Sequence, residues 1–193
     1  MRKYPINAVT RSPGSDKCAE EFAAIFYNHS LQVGFRPIAD FLRCEIIGYM
    51  TTVRGPAGMV QGSYGRLARI ARQLSLLNEF CFDSVTAIVQ RFHESKRKGL
   101  LFVPLPAGAI EAIGHPLADS IHEAVANLGH LPESTVLIIP AIAPEKFSVA
   151  REFAARLLET GFQLASSSFG CALTERELWS KLPVNFTLLE EHF

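Results

Sequence analysis

The chain has no surplus charge of either sign: Lys+Arg and Asp+Glu both number 19. No global field therefore draws it to nucleic acid or to an anionic membrane. It has no apolar run of the roughly 18 residues that a bilayer-spanning helix requires. Its cysteines are scattered, at Cys18, Cys44, Cys81 and Cys171, with no Cys-x-x-Cys spacing. That argues against a disulfide framework and suits free thiols in a reducing cytoplasm. The basic start Met1-Arg2-Lys3 has no apolar core behind it, so no signal peptide is expected.

Several kinds of chemistry are missing as well. Gly55-Pro56-Ala57-Gly58 has neither the spacing nor the lysine of a phosphate-cradling loop. No Gly-x-Ser-x-Gly elbow surrounds Ser166, Ser167 and Ser168, and the histidines show no metal-ligand spacing. Cys171 follows Gly170 with no neighbour that would activate a thiol, so it reads as a plain free cysteine. Lys96-Arg97-Lys98 is short, lacks interleaved aromatics and sits where cations complement a helix C-terminus.

What is present is a rhythm. The 193 residues fit one domain with a sizeable core. Residues 1–16 read as a loose leader, followed by a helix from Ser15 to about Asn28. Strands are expected over Gln32–Ile38 and Glu45–Val53. A single long helical region is expected from Tyr64 to Lys98, because Leu67, Ile70, Leu74, Leu77, Cys81, Val85 and Ile88 recur at helical spacing. Strands near Leu100–Leu105, Thr135–Ile139, Phe162–Ser167 and Val184–Leu189 then alternate with helices at Pro116–Leu128, Ser148–Thr160 and Glu175–Lys181. Apolar strands alternating with amphipathic helices predict an α/β fold with a parallel sheet.

In such folds reactive side chains sit at the C-terminal ends of the strands. Those ends here read Val103-Pro104-Leu105-Pro106, Ile138-Ile139-Pro140-Ala141 and Ser166-Ser167-Ser168. Acids are absent from all of them.

From about Leu31 to Phe193 the chain resembles the bacterial EAL domain, a phosphodiesterase that opens cyclic di-GMP. Phe35-Arg36-Pro37-Ile38 resembles that family's Tyr-Gln-Pro-Ile strand. Ile47 to Arg54 resembles Val-Gly-Tyr-Glu-Ala-Leu-Leu-Arg, Phe169-Gly170 the end of Asp-Asp-Phe-Gly, and Leu182-Pro183-Val184 the Leu-Pro-Val before the sixth strand. The resemblance implies a modified TIM-type (β/α) barrel, here incomplete. It would have about six strands, the first two adjoining, with a long helix after strand two. The domain division expected is 1–30 for the leader and helix and 31–193 for the EAL-like part.

The departures carry the functional message. The family's metal-binding glutamate falls on Met50, its asparagine on Pro104, its strand-four glutamate on Ile138 and its paired aspartates on Ser167 and Ser168. The sixth-strand lysine and aspartate fall on Leu188 and Glu190. Two-metal hydrolysis needs convergent oxygen donors, which this set does not supply. The resemblance therefore implies no catalytic residue, no metal and no cofactor. Arg36, Arg54, Phe169 and Gly170 stay as candidate ligand contacts. For the two arginines, solvated strand-end roles weigh against that, and Glu190-Glu191 reads as a solvated end.

An unclosed sheet should leave apolar interior surface uncovered, consistent with fourteen phenylalanines. The expected function is a catalytically inactive regulatory module in the cytoplasm. Its partner would be a protein or a second copy, ahead of cyclic di-GMP, with no nucleic acid and no membrane. The alternatives are a non-hydrolysing cyclic di-GMP sensor and, behind it, an active phosphodiesterase.

Overall fold

The computed structural model describes residues 22–25, 28–57, 62–167 and 184–188. Within them β1 (Gln32–Asp40) and β2 (Glu45–Arg54) form an antiparallel hairpin. Its turn is set by Asp40, whose Oδ1 accepts the N–H groups of Leu42 (2.9 Å) and Arg43 (3.1 Å). Such short-range capture of backbone donors by Asp is what turns favour.

After the hairpin come α1 (Tyr64–Gln73), α2 (Leu77–Glu94), β3 (Leu100–Pro104), α3 (Ala109–Ile113), α4 (His115–Ala126) and β4 (Thr135–Ile139). The described chain ends with α5 (Phe147–Glu159), β5 (Gln163–Ser166) and β6 (Phe186–Thr187). The strands stand in one sheet in the order β1-β2-β3-β4-β5-β6. All neighbours beyond the first pair run parallel. The result is a six-strand curled half-barrel with adjoining first strands, as the resemblance implied.

Two-residue alternation sorts each strand between two layers. Val53, Leu101, Val103, Leu137, Ile139 and Leu164 face the helices and join the main core with Phe80, Ile88, Ile121 and Phe153. The opposite face forms a second cluster of Phe102, Val136, Ile138 and Ala165, flanked by Ile38, Met50, Leu100, Phe186 and Leu188. Asn185 pins the last strand: its N–H donates to Leu164 O (2.8 Å), and its Oδ1 accepts the Leu164 N–H (3.0 Å).

One sequence expectation needs correction. The single helix from Tyr64 to Lys98 is two helices, broken at Leu74–Leu76 where Ser75 takes φ 59°. The break keeps its backbone bonds, Leu74 N–H to Ile70 O and Leu76 N–H to Ala71 O, so it carries no Gly or Pro signal. Ala109–Ile113 adds a short helix between β3 and α4, a segment the sequence analysis leaves unassigned. The interior face is partly covered, with Ile38, Met50, Leu100, Phe186 and Leu188 half-buried around its buried residues. Phe102, Val136, Ile138 and Ala165 are buried, whereas the exposed large hydrophobics among the described residues are Phe41, Leu42, Ile46 and Leu131. All four lie at the N-terminal end of the parallel strands: the hairpin tip, the start of β2 and the approach to β4. The expected helix Glu175–Lys181 lies outside the described residues.

That same end holds two local ties. Arg97 stacks over Phe35 and Tyr49, its Cζ 5.2 and 5.4 Å from their centroids, and Phe92 meets both rings edge-on. Beside them, His93 Nε2 and His130 Nδ1 stand 2.9 Å apart, joining the end of α2 to the loop before β4. One of these two nitrogens must lack a proton for the bond to exist. Burial pushes the His130 imidazole below its ordinary range, the nearby His93 adds to this, and Glu133 opposes it.

The sign of the consequence is definite. As pH falls through the ordinary histidine range of about 6.5, unfolded chains take up a proton that folded His130 resists, so stability falls. Thermal melts from pH 7.5 to pH 5 are expected to show this decline, and His130→Asn is expected to flatten it.

Candidate functional site

The C-terminal ends of the parallel strands form the candidate site. Register places Met50 beside Phe102, Pro104 beside Ile138, Ile138 beside Ala165, and Ala165 beside Phe186. Neighbours in register share a face, so Met50, Pro104 and Ile138 all turn to the interior. Met50, Ile138 and Leu188 belong to one apolar cluster. Backbone bonds lace these ends together: Leu105 N–H to Ile138 O (3.1 Å), Ser167 N–H to Ile139 O (3.1 Å) and Leu188 N–H to Ser166 O (2.8 Å).

The serines are no nucleophilic pair. Ser167 donates its hydroxyl to Ile139 O at 3.1 Å. Ser166 is buried, its Oγ without a partner among the described residues. No histidine is hydrogen-bonded to either among the described residues.

Arg36 and Arg54 share a face of the hairpin, since Arg36 stands opposite Met50 and Arg54 opposite Gln32. Both are exposed. Arg54 closes β2, whereas Arg36 lies in the middle of β1 rather than at a strand end. Four positions of strand, about 13 Å, separate their backbones, so they are not set side by side as one clamp. Ser168, Phe169, Gly170, Cys171, Glu190 and Glu191 lie outside the described residues.

The side chains of Met50, Pro104, Ile138 and Leu188 offer no oxygen, and the Ser167 hydroxyl is neutral and already engaged. A pair of hard divalent cations does not fit this set. Among the described residues no three His, Cys, Asp or Glu side chains gather closely enough to hold a metal ion. The sequence reading missed Phe102, Val136 and Phe186, which fill the interior around those positions. Alternation with Leu101, Val103 and Leu137 was the signal that could have placed the first two there.

The free thiols fall elsewhere: Cys44 is exposed at the hairpin turn and Cys81 is buried in α2. Burial pushes the Cys81 thiol up to about 12, with Glu79 adding to the shift, which leaves it protonated and inert. Among the described residues no helix is long and apolar enough to cross a membrane.

No protein-family model and no curated protein matches the sequence. Solved structures do match the fold. The EAL domain of FimX from Pseudomonas aeruginosa bound to c-di-GMP superposes with a TM-score of 0.70 at 22% identity, over 87% of this chain and 69% of that one. The Xanthomonas citri FimX EAL domain in complex with c-di-GMP gives 0.70 at 18%, over 90% and 69%. The PaMucR phosphodiesterase in its c-di-GMP complex gives 0.69 at 14%, over 89% and 71%. At these identities the likeness speaks for the fold alone. The chain has the fold of an EAL domain, described through six strands of the barrel.

Proposed function

We propose that this chain is a catalytically inactive EAL-like module that acts by protein contact in bacterial signalling. One observation carries the reading: Met50, Ile138 and Leu188, the positions matched to the family's ligands and strand-six residues, lie in a single apolar cluster. Hydrolysis of a phosphodiester at neutral pH needs a polarised phosphate and an activated water. An interior of Phe, Val, Ile, Met and Leu side chains supplies neither. A fold kept without its chemistry is best used as a shaped surface.

The second reading is a sensor that holds cyclic di-GMP without opening it. Arg54 favours it, being exposed at the end of β2 with no ion pair among the described residues. Calorimetric titration with cyclic di-GMP in Mg2+ separates the two. No saturable heat up to about 100 μM ligand is expected. Micromolar binding that disappears in Arg54→Ala would replace the contact reading with the sensor.

A further inference from the structure

The chain is neutral as a whole, yet from Ile46 to Asn78 it contains no Asp or Glu and four arginines, Arg54, Arg66, Arg69 and Arg72. The fold turns this local imbalance into a surface. Leu67, Ala68 and Ala71 are the buried residues of α1. At 100° per residue, Arg69 stands nearly opposite them, with Arg66 and Arg72 on its two flanks. All three are exposed.

Arg54 joins the base of this helix, because its backbone bridges Ser63, the residue that precedes α1. Arg72 joins the other end to the strand-end rim: a Cβ on Gly108, in the turn after β3, would stand 2.9 Å from its Nη1. Among the described residues no carboxylate pairs with Arg54, Arg69 or Arg72.

We propose that this arginine face of α1 docks an acidic segment of a partner protein, through Asp and Glu carboxylates. The inference rests on the reading that the chain works by contact, and it names the surface and the chemistry of the contact. Every cation of the band is an arginine, whose planar fork binds a carboxylate by two parallel hydrogen bonds. The ten residues of α1 span about 15 Å, the reach of a short peptide. Nucleic acid is the poorer fit. The other basic run, Lys96-Arg97-Lys98, precedes β3 at the opposite end of the strands, so the two do not join into one track. The acid-free stretch around three arginines at helical spacing was legible in the sequence.

Fluorescence anisotropy with a labelled ten-residue oligoglutamate tests this on the full chain. Saturable binding at low salt is expected, weakening by about tenfold or more as salt rises to about 0.2 M. Arg69→Glu/Arg72→Glu should abolish it, with an unchanged thermal melt because both side chains are exposed. Lys96→Glu/Lys98→Glu, which changes net charge equally, should retain it. No saturable binding up to about 1 mM, or equal loss in both double variants, overturns the proposal. Tighter binding of a short duplex DNA, lost in Arg69→Glu/Arg72→Glu, assigns the face to nucleic acid instead. Turnover of cyclic di-GMP would overturn the contact reading and leave the peptide result standing. Failure of the peptide without turnover overturns the docking face alone.

Discussion

Ile138→Glu is expected to destabilise the fold by about 3–5 kcal/mol, with no recovery on adding Mg2+ or Mn2+. Ile138 is 5% exposed, between Pro104 on β3 and Ala165 on β5 in the apolar inner cluster. A carboxylate there loses its water and meets no cation. It would be held protonated well above the ordinary carboxylate range, because burial penalises the charged form. The resemblance assigns this same position a metal-binding glutamate, so the substitution restores one family ligand. If the interior were a working cation site, the divalent ion would bind the restored acid and raise the melting temperature. Ile138→Val, which removes one methylene without adding charge, should cost only about 1 kcal/mol. Thermal melts of the three proteins, with and without the metal, separate these outcomes.

Gly48→Ala is expected to cost about 3 kcal/mol, a large loss for one methyl group. A Cβ at that position runs into the carbonyl oxygen of Leu100 and lies 2.9 Å from the Leu100 Cβ. Gly48 is the first residue of β2 to pair with β3, so the clash falls on backbone that cannot rotate away. Its relief would require β2 and β3 to separate at the point where the antiparallel hairpin joins the parallel sheet. Gly65→Ala is the contrasting case. Gly65 lies in α1 with nothing within 4 Å of the added Cβ, so the change should stabilise by about 0.5–1 kcal/mol. Chemical denaturation of both variants checks the pair, and similar losses in the two would count against the β2–β3 register.

Much of this fold was legible because its strands are apolar runs bounded by turns. Thr135–Ile139 was expected and found at the same limits, and Glu45–Arg54 differs from expectation by one residue. Helix α5 is displaced by one residue, at Phe147–Glu159. The break at Leu74–Leu76 was not legible, since Leu74 and Leu77 continue the apolar spacing and Ser75 adopts its left-handed backbone without a glycine. Helix α3 was hidden behind Pro106-Ala107-Gly108, although Gly108 caps a helix.

At the candidate site, the lack of acids at the strand ends was plain from the residues. What replaces them was not, because the burial of Phe102, Val136 and Ile138 depends on the curl of the sheet. Exposure of Phe41 and Leu42 at the hairpin tip was equally hidden, since two adjacent apolar residues beside Asp40 give no sign of which way a turn will project them.

Incubation of the purified protein with cyclic di-GMP in Mg2+ or Mn2+, followed by separation of cyclic from linear dinucleotide, is the most direct measurement. The expected result is no linear product in either metal. Metal-dependent appearance of linear product, abolished by a chelator, would contradict it and return the chain to the active phosphodiesterases.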